Sequence, residues 1–96
     1  MKAYAIVQET VKDEAMFAEY RKHVMATLEP FGARFVVRGG TMTVVEGTWP
    51  HPRLVVIEFP SRQAAEDWYR SPAYQKVLPL RLKSADGNFV IVDGAG

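Results

Sequence analysis

Three kinds of side chain in this 96-residue chain stand where they can do chemistry: a carboxylate inside an apolar strand, guanidiniums at element ends, and phenols gathered at a helix break. Glu58 interrupts the run Leu54-Val55-Val56-Ile57 and shares its side of the strand with Leu54 and Val56. A buried carboxylate is costly unless paired, so Glu58 requires a partner or a place at the sheet margin. Arg38, at the end of the preceding strand, and Arg81 are the candidate partners. Two readings stay open. In one, the arginines clamp a ligand carboxylate or enolate while Glu58 acts as catalytic base. In the other, the charges form a structural ion pair at a sheet edge or dimer interface. Trp49, in the Pro-flanked loop Gly47-Thr48-Trp49-Pro50-His51-Pro52, either lids a pocket or locks a dimer contact. Tyr69, Ser71 and Tyr74 cluster at the helix break, where a phenol can donate to an oxygen ligand, although Tyr74 also suits the core and Ser71 a helix cap.

Other chemistries find less support. His23 and His51 are 28 positions apart and lack HxH or HxxxH spacing, so no metal site is expected. Haem would need one of them as axial ligand. No G-x-S-x-G elbow accompanies the serines, and Gly39-Gly40 lacks the spacing of a phosphate-binding loop. Phe35-Val36-Val37 lacks the aromatic and basic pattern of a strand that stacks RNA bases. Twelve Lys and Arg against eleven Asp and Glu leave a formal charge of +1, too small to attract a nucleic acid or an anionic membrane. The absence of Cys excludes disulfides and thiolate chemistry. No stretch approaches the ~18 apolar residues of a membrane span, and a cytoplasmic location is expected.

The elements that must position these groups follow from periodicity. One domain over residues 1–96 suits a mass of 10.8 kDa. Residues 3–8 read as a first strand. Asp13 caps a helix whose stripe is Phe17, Tyr20, Val24 and Leu28, ended by Pro30 and Gly32. Residues 33–38 read as a second strand, turned at Gly39-Gly40 into a short return strand over residues 41–46. Residues 53–59 form the clearest strand. Ser61 caps a second helix with Ala64, Ala65 and Trp68 inward, and Ser71-Pro72 restarts it. Pro79 should kink or divide the restarted helix. Asp86-Gly87-Asn88 reads as a turn into a last strand over residues 89–92.

This βαββαβ order predicts an α+β, ferredoxin-like sandwich with both helices on one face of an antiparallel sheet. Leu54-Val55-Val56-Ile57 and Phe89-Val90-Ile91-Val92 are apolar at every position, as if buried on both sides. Two helices cannot cover two faces. At roughly 25 cal/mol per Å² a wet apolar face forfeits several kcal/mol, in a domain stable by only about 5–15 kcal/mol. A homodimer packed sheet to sheet is therefore expected.

Several segments carry a resemblance. The R-G-G turn of residues 38–40, the E-G-x-W loop of 46–49, the E-F-P-S strand exit of 58–61 and the W-Y-x-S-P-x-Y break of 68–74 occur in that order, with Leu80-Arg81 beyond them. In combination they resemble the domain-of-unknown-function 1330 family, a branch of the dimeric α/β-barrel superfamily. Arg70 and Ala73 depart from its usual residues. The resemblance implies the fold and the dimer, but no reaction. It singles out Arg38, Glu46, Trp49, Glu58, Tyr69, Ser71, Tyr74 and Arg81, with Tyr20 of the first helix facing the same cavity. Superfamily relatives include cofactor-free monooxygenases, muconolactone-type isomerases and haem-binding enzymes. The expected function is a cofactor-independent enzyme or binder for a small aromatic or carboxylate-bearing metabolite. The alternative is a non-catalytic protein whose motif residues build the dimer. A cavity of roughly 300 Å³ lined by at least two of Arg38, Glu58, Tyr74 and Arg81 would favour the first.

Overall fold

Alternation in the central strand sets the architecture. In the computed structural model, which describes residues 1–96, strand β1 (Ala3–Val11) buries Ala3, Ala5, Val7 and Glu9 and leaves Tyr4, Ile6, Gln8 and Thr10 half-buried. Helix α1 (Glu14–Leu28) follows, closed by a 3-10 turn at Glu29–Phe31, and then β2 (Arg34–Arg38), β3 (Arg53–Phe59), helices α2 (Arg62–Arg70) and α3 (Pro72–Ser84), and β4 (Ala85–Asp93). The sheet order is β2-β3-β1-β4 and every pairing is antiparallel, which is the expected βαββαβ arrangement.

Local chemistry ends and starts the helices as expected. Asp13 accepts from the Met16 amide at 3.0 Å, Ser61 from Ala64 at 3.0 Å and Ser71 from Tyr74 at 3.2 Å. Ser71 is extended, so it caps the end of α2 and the start of α3 in one residue. The buried stripe of α1, Phe17, Tyr20, Val24 and Leu28, meets Trp68 and Tyr74 over β1 and β3. Trp68 and Tyr74 rings lie 4.1 Å apart, and the Trp68 indole N–H donates to Thr27 Oγ1 at 3.0 Å. No helix is long and apolar enough to cross a membrane.

Three local expectations are corrected. Residues 41–46 form no return strand, since nothing in this chain pairs with them and Val44 and Val45 stand exposed. The Gly39 amide instead donates to Leu54 O at 2.8 Å, and an irregular loop runs from there to β3. Helix α3 continues through Pro79. Pro79 is exposed, and so is Gln75, the residue whose carbonyl it deprives of a donor. Asp86, Gly87 and Asn88 are strand rather than turn, because β1 is longer than expected and pairs with them through Thr10, Glu9 and Gln8.

The sheet face away from the helices carries Ile6, Leu54, Val56, Val90 and Val92 in register. Val36, Val90 and Val92 are 50%, 55% and 44% exposed, and no element of this chain covers them.

Gly87 lies opposite Glu9, and a Cβ there would strike the Gln8 carbonyl oxygen and approach Glu9 Cα to 2.9 Å. Gly87→Ala must push β4 from β1. The expected loss is about 1–3 kcal/mol in urea denaturation.

Candidate functional site

A one-residue bulge decides which groups meet. Arg34 pairs with Glu58 and Phe35 with Ile57, but Val37 pairs with Val56 and Arg38 with Val55. The extra residue, Val36, shifts the alternation, so Arg38 turns to the helix side of the sheet with Val55, Ile57 and Phe35. Strict alternation would have left Arg38 on the face of Glu58.

Between that sheet face and α1 lies a cavity of about 40 Å³, lined by Glu9, Phe17, Tyr20, Phe35, Trp68 and Phe89 together with Arg21, Arg38, Arg53 and Arg81. It adjoins an open cleft of about 370 Å³, and Glu9, Phe17, Arg21 and Arg53 line both. The enclosed part is smaller than the roughly 300 Å³ expected, because the core rings fill the space beneath it.

Each of the four arginines lies against a ring. Arg38 stands 4.2 Å from the Phe35 centroid, Arg81 5.4 Å from Phe89, and Arg21 and Arg53 5.5 and 5.4 Å from Phe17. Only Arg53 has a carboxylate within 4 Å, with Nε 3.3 Å from Glu9 Oε2. The Arg53 guanidinium also rests on Gly39, where φ is +68° and any Cβ would strike it. The glycine of the R-G-G turn thus makes room for a cleft arginine.

Glu9 is the buried carboxylate of this site, with Glu14 at the outer rim of the cleft. Its side chain is 3% exposed, and no protein group bonds the buried Oε1. Burial pushes its carboxyl above the ordinary 4.5, and the charges of Arg81 and Arg53, with the Arg53 hydrogen bond, pull it only part of the way back. Tyr20 and Tyr74 hydroxyls are 2.9 Å apart, and Arg81 Nε donates to Tyr74 Oη at 3.3 Å. Burial, reinforced by the neighbouring Tyr74 hydroxyl, holds Tyr20 far above the usual phenol range. Tyr74 is also raised, by burial, against the pull of Arg81. Both are neutral hydrogen-bonding groups.

Of the residues singled out in the sequence, Arg38, Arg81 and Tyr20 line the cavity, and Tyr74 supports two of them from behind. Glu58 does not join them. It lies across the sheet, where Arg34 Nε donates to it at 3.0 Å and Lys2 Nζ stands 3.6 Å away. The expected pairing with Arg38 or Arg81 is therefore not formed. The Arg34 hydrogen bond holds the Glu58 carboxyl below its ordinary value. Trp49 is 44% exposed, beside Leu54 on the open side of the sheet, with Glu46 in the same depression. Tyr69 packs on Phe89 and Tyr74 outside the cavity, and Ser71 is a cap. The His51 ring Nδ1 shares a hydrogen bond with Thr10 Oγ1 at 2.8 Å, and His23 stands on the surface beside Glu19.

Glu9, Arg21 and Arg53 escaped the sequence reading. Glu9 ends the inward run Ala3-Ala5-Val7-Glu9, so extending β1 by the same alternation would have found it. Arg53 opens β3 on the inward side of Val55. Arg21 reads as an outward residue of α1 with Glu19 and Lys22, yet it stands four residues after Phe17 and three before Val24, at the margin of the stripe.

A family model described as a domain of unknown function, DUF1330, matches residues 2–95. No curated protein matches the chain. Among solved structures, a protein of unknown function from Rhodopseudomonas palustris is similar at TM-score 0.79 and 16% identity, over 99% of this chain and 83% of that one. A dimeric ferredoxin-like protein of unknown function from Jannaschia sp. CCS1 is similar at TM-score 0.65 and 14% identity, over 98% and 100%. SnoaB, a cofactor-independent oxygenase from Streptomyces nogalater, is similar at TM-score 0.63 and 9% identity, over 99% and 94%. At these identities the likeness establishes the ferredoxin-like fold.

The raised Glu9 carboxyl has a consequence for stability. A carboxyl that keeps its proton to higher pH when folded than when unfolded costs the folded state stability as pH rises from 4.5 through the folded value, and nothing further above it. Glu9→Gln removes that slope. Denaturation midpoints measured from about pH 4 to 8 should show the variant gaining on the wild type across this window and holding its gain above it; a gap that narrows with rising pH contradicts the assignment.

Proposed function

The chain belongs to the DUF1330 family, and from that premise we propose that it acts as a homodimer that takes a small aromatic or carboxylate-bearing metabolite into the arginine-lined cleft, for cofactor-independent chemistry of a monooxygenase or isomerase kind. The observation that carries this reading is the imbalance of the cleft. Arg21, Arg38, Arg53 and Arg81 face two carboxylates, the buried Glu9 and Glu14 at the outer rim, and three of the four have no acidic partner within 4 Å. Positive charge held on aromatic rings beside an apolar wall suits a flat anion, whose carboxylate a guanidinium can grip through two hydrogen bonds.

The dimer rests on the uncovered sheet face. Ile6, Val56 and Val90 lie side by side at its centre, and a second copy would bury them against its own. The Jannaschia protein of the same fold is dimeric, and SnoaB shows that this fold supports cofactor-independent oxygenation in another protein. A non-catalytic reading draws on one observation, the small enclosed volume of about 40 Å³, and predicts that no ligand stabilises the protein.

Thermal-shift screening separates the two. An aromatic carboxylate at about 100 times its Kd should stabilise the wild type by about 2.7 kcal/mol. Arg38→Ala should weaken it by about 1.5–3 kcal/mol, roughly ten- to hundredfold in Kd. Stabilisation equal in both proteins places the ligand elsewhere. For the assembly, wild type at micromolar concentration should sediment at twice 10.8 kDa and Ile6→Lys at the single-chain mass; a stable wild-type monomer removes the dimer from this reading.

A further inference from the structure

Glu9 is shared between the two spaces of the site, and so is the arginine that holds it. Glu9, Phe17, Arg21 and Arg53 line both the small cavity and the open cleft. The cavity is walled mostly by apolar side chains, whereas Glu9, Thr10, Glu14, Arg21 and Arg53 make up most of the cleft's lining. An anionic group therefore belongs in the cleft, where the Arg21 and Arg53 guanidiniums stand 5.5 and 5.4 Å from the centroid of one ring, Phe17.

The charges of that cleft do not favour an anion when every group is ionised. Arg21 and Arg53 face Glu9 and Glu14, so the walls then carry no net charge. Arg53 is also occupied, with Nε 3.3 Å from Glu9 Oε2. A proton on Glu9 alters both. It leaves the walls with one positive charge in excess, and it turns the Arg53–Glu9 contact from an ion pair into a weaker hydrogen bond. Glu9 is built to take that proton, because Oε1 is buried without a protein partner and such a carboxylate is costly to keep charged. Burial already holds its carboxyl above the ordinary value against the pull of Arg81 and Arg53.

The groups that face Glu9 are Tyr20 and Arg21 of α1, the exposed Arg38 of β2, Arg53 of β3 and Arg81 of α3, with Glu14 at the rim. Strand β4 places Gly87 opposite it and brings no charge there. His51 lies one residue away, through its hydrogen bond to Thr10. Tyr20 is held neutral by burial. Resting on the binding reading above, we propose that the site takes up a small carboxylate together with a proton, the ligand's carboxylate seated between Arg21 and Arg53 and the proton carried by Glu9. The proton comes from solvent, no bond of the ligand changes, and Glu9 stays buried without touching it. The linkage is reciprocal: the proton strengthens ligand binding by the factor by which the ligand strengthens proton binding. The Kd therefore rises with pH between the titration of Glu9 in the free and in the bound protein, and is level on either side.

Phenylacetate, which stays ionised from about pH 5.5 upward, is the probe. Calorimetric titration in two buffers of different ionisation enthalpy counts the protons taken up with it. Wild type should take up protons, and its Kd should weaken roughly ten- to hundredfold between about pH 5.5 and 8. Glu9→Gln, uncharged at every pH, should bind about as tightly as wild type does at the acid end, with no uptake and a level Kd. His51→Asn should keep the uptake, and Arg21→Gln, an exposed change, should weaken binding about tenfold. The wild-type proton count tests the linkage whether or not Glu9→Gln folds. Binding to wild type without uptake, uptake that survives in Glu9→Gln, uptake lost in His51→Asn, or undiminished binding by Arg21→Gln overturns the proposal and leaves the binding reading standing. Failure of phenylacetate to bind wild type at any pH, in a screen that finds no other acid, overturns the two together.

Discussion

A carboxylate buried at the end of the central strand sets the terms for everything around it. Glu9 points into the same layer as Ala3, Ala5 and Val7 and is almost wholly removed from water. Such a group must either be neutral or be surrounded by positive charge. Here it has some of each: burial raises its pKa, and Arg53 and Arg81 oppose that rise without cancelling it. Gly87 on the other side lets β4 approach closely enough to seal it. A fully paired Glu9 would be an inert strut, and a fully isolated one would simply hold its proton. The intermediate arrangement leaves one carboxylate oxygen buried and unpaired beside the arginines.

The arginines meet the same difficulty with a different solution. Carboxylate partners would quench them, whereas exposed lysine-like tethering would leave them mobile. Placing the guanidinium groups over Phe17, Phe35 and Phe89 holds them by cation–π attraction while leaving their N–H groups to donate elsewhere. Rings that read in the sequence as ordinary core therefore have a second use at the cavity wall. The Tyr20–Tyr74–Arg81 chain does the same from behind, since two neutral phenols fix Arg81 without neutralising it.

Much of the fold was legible because it rests on local rules. Asp13, Ser61 and Ser71 cap helices because a side-chain oxygen there meets free amides, and the α1 stripe is visible at its helical spacing. What could not be read depends on registration between distant segments. Asp86-Gly87-Asn88 has turn composition, but nine residues of β1 offer hydrogen bonds that a turn would forgo. Pro79 looks like a breaker until its exposed side is known. Residues 41–46 have strand composition without a neighbour in their own chain. Glu58 drew attention because it interrupts an apolar run, yet the alternation that marked it also assigns it to the face opposite the cleft. Glu9 passed unnoticed because the first strand was ended too early.

The bulge at Val36 joins these threads. With one extra residue, β2 presents both Val36 and Val37 toward the open face before Arg38 turns inward, whereas an unbroken strand would send Val37 into the cleft and Arg38 out beside Arg34. A single irregularity thus adds apolar surface where the proposed partner docks and a guanidinium where the proposed ligand sits. The two faces of the sheet are therefore not independent. Packing a second copy against Val36 and Val37 would hold the bulge in its present register, and through it the position of Arg38 over Phe35. On this argument the dimer does more than dry an oily sheet: by pinning an edge strand that has only one neighbour, it steadies one wall of the cleft on the other side.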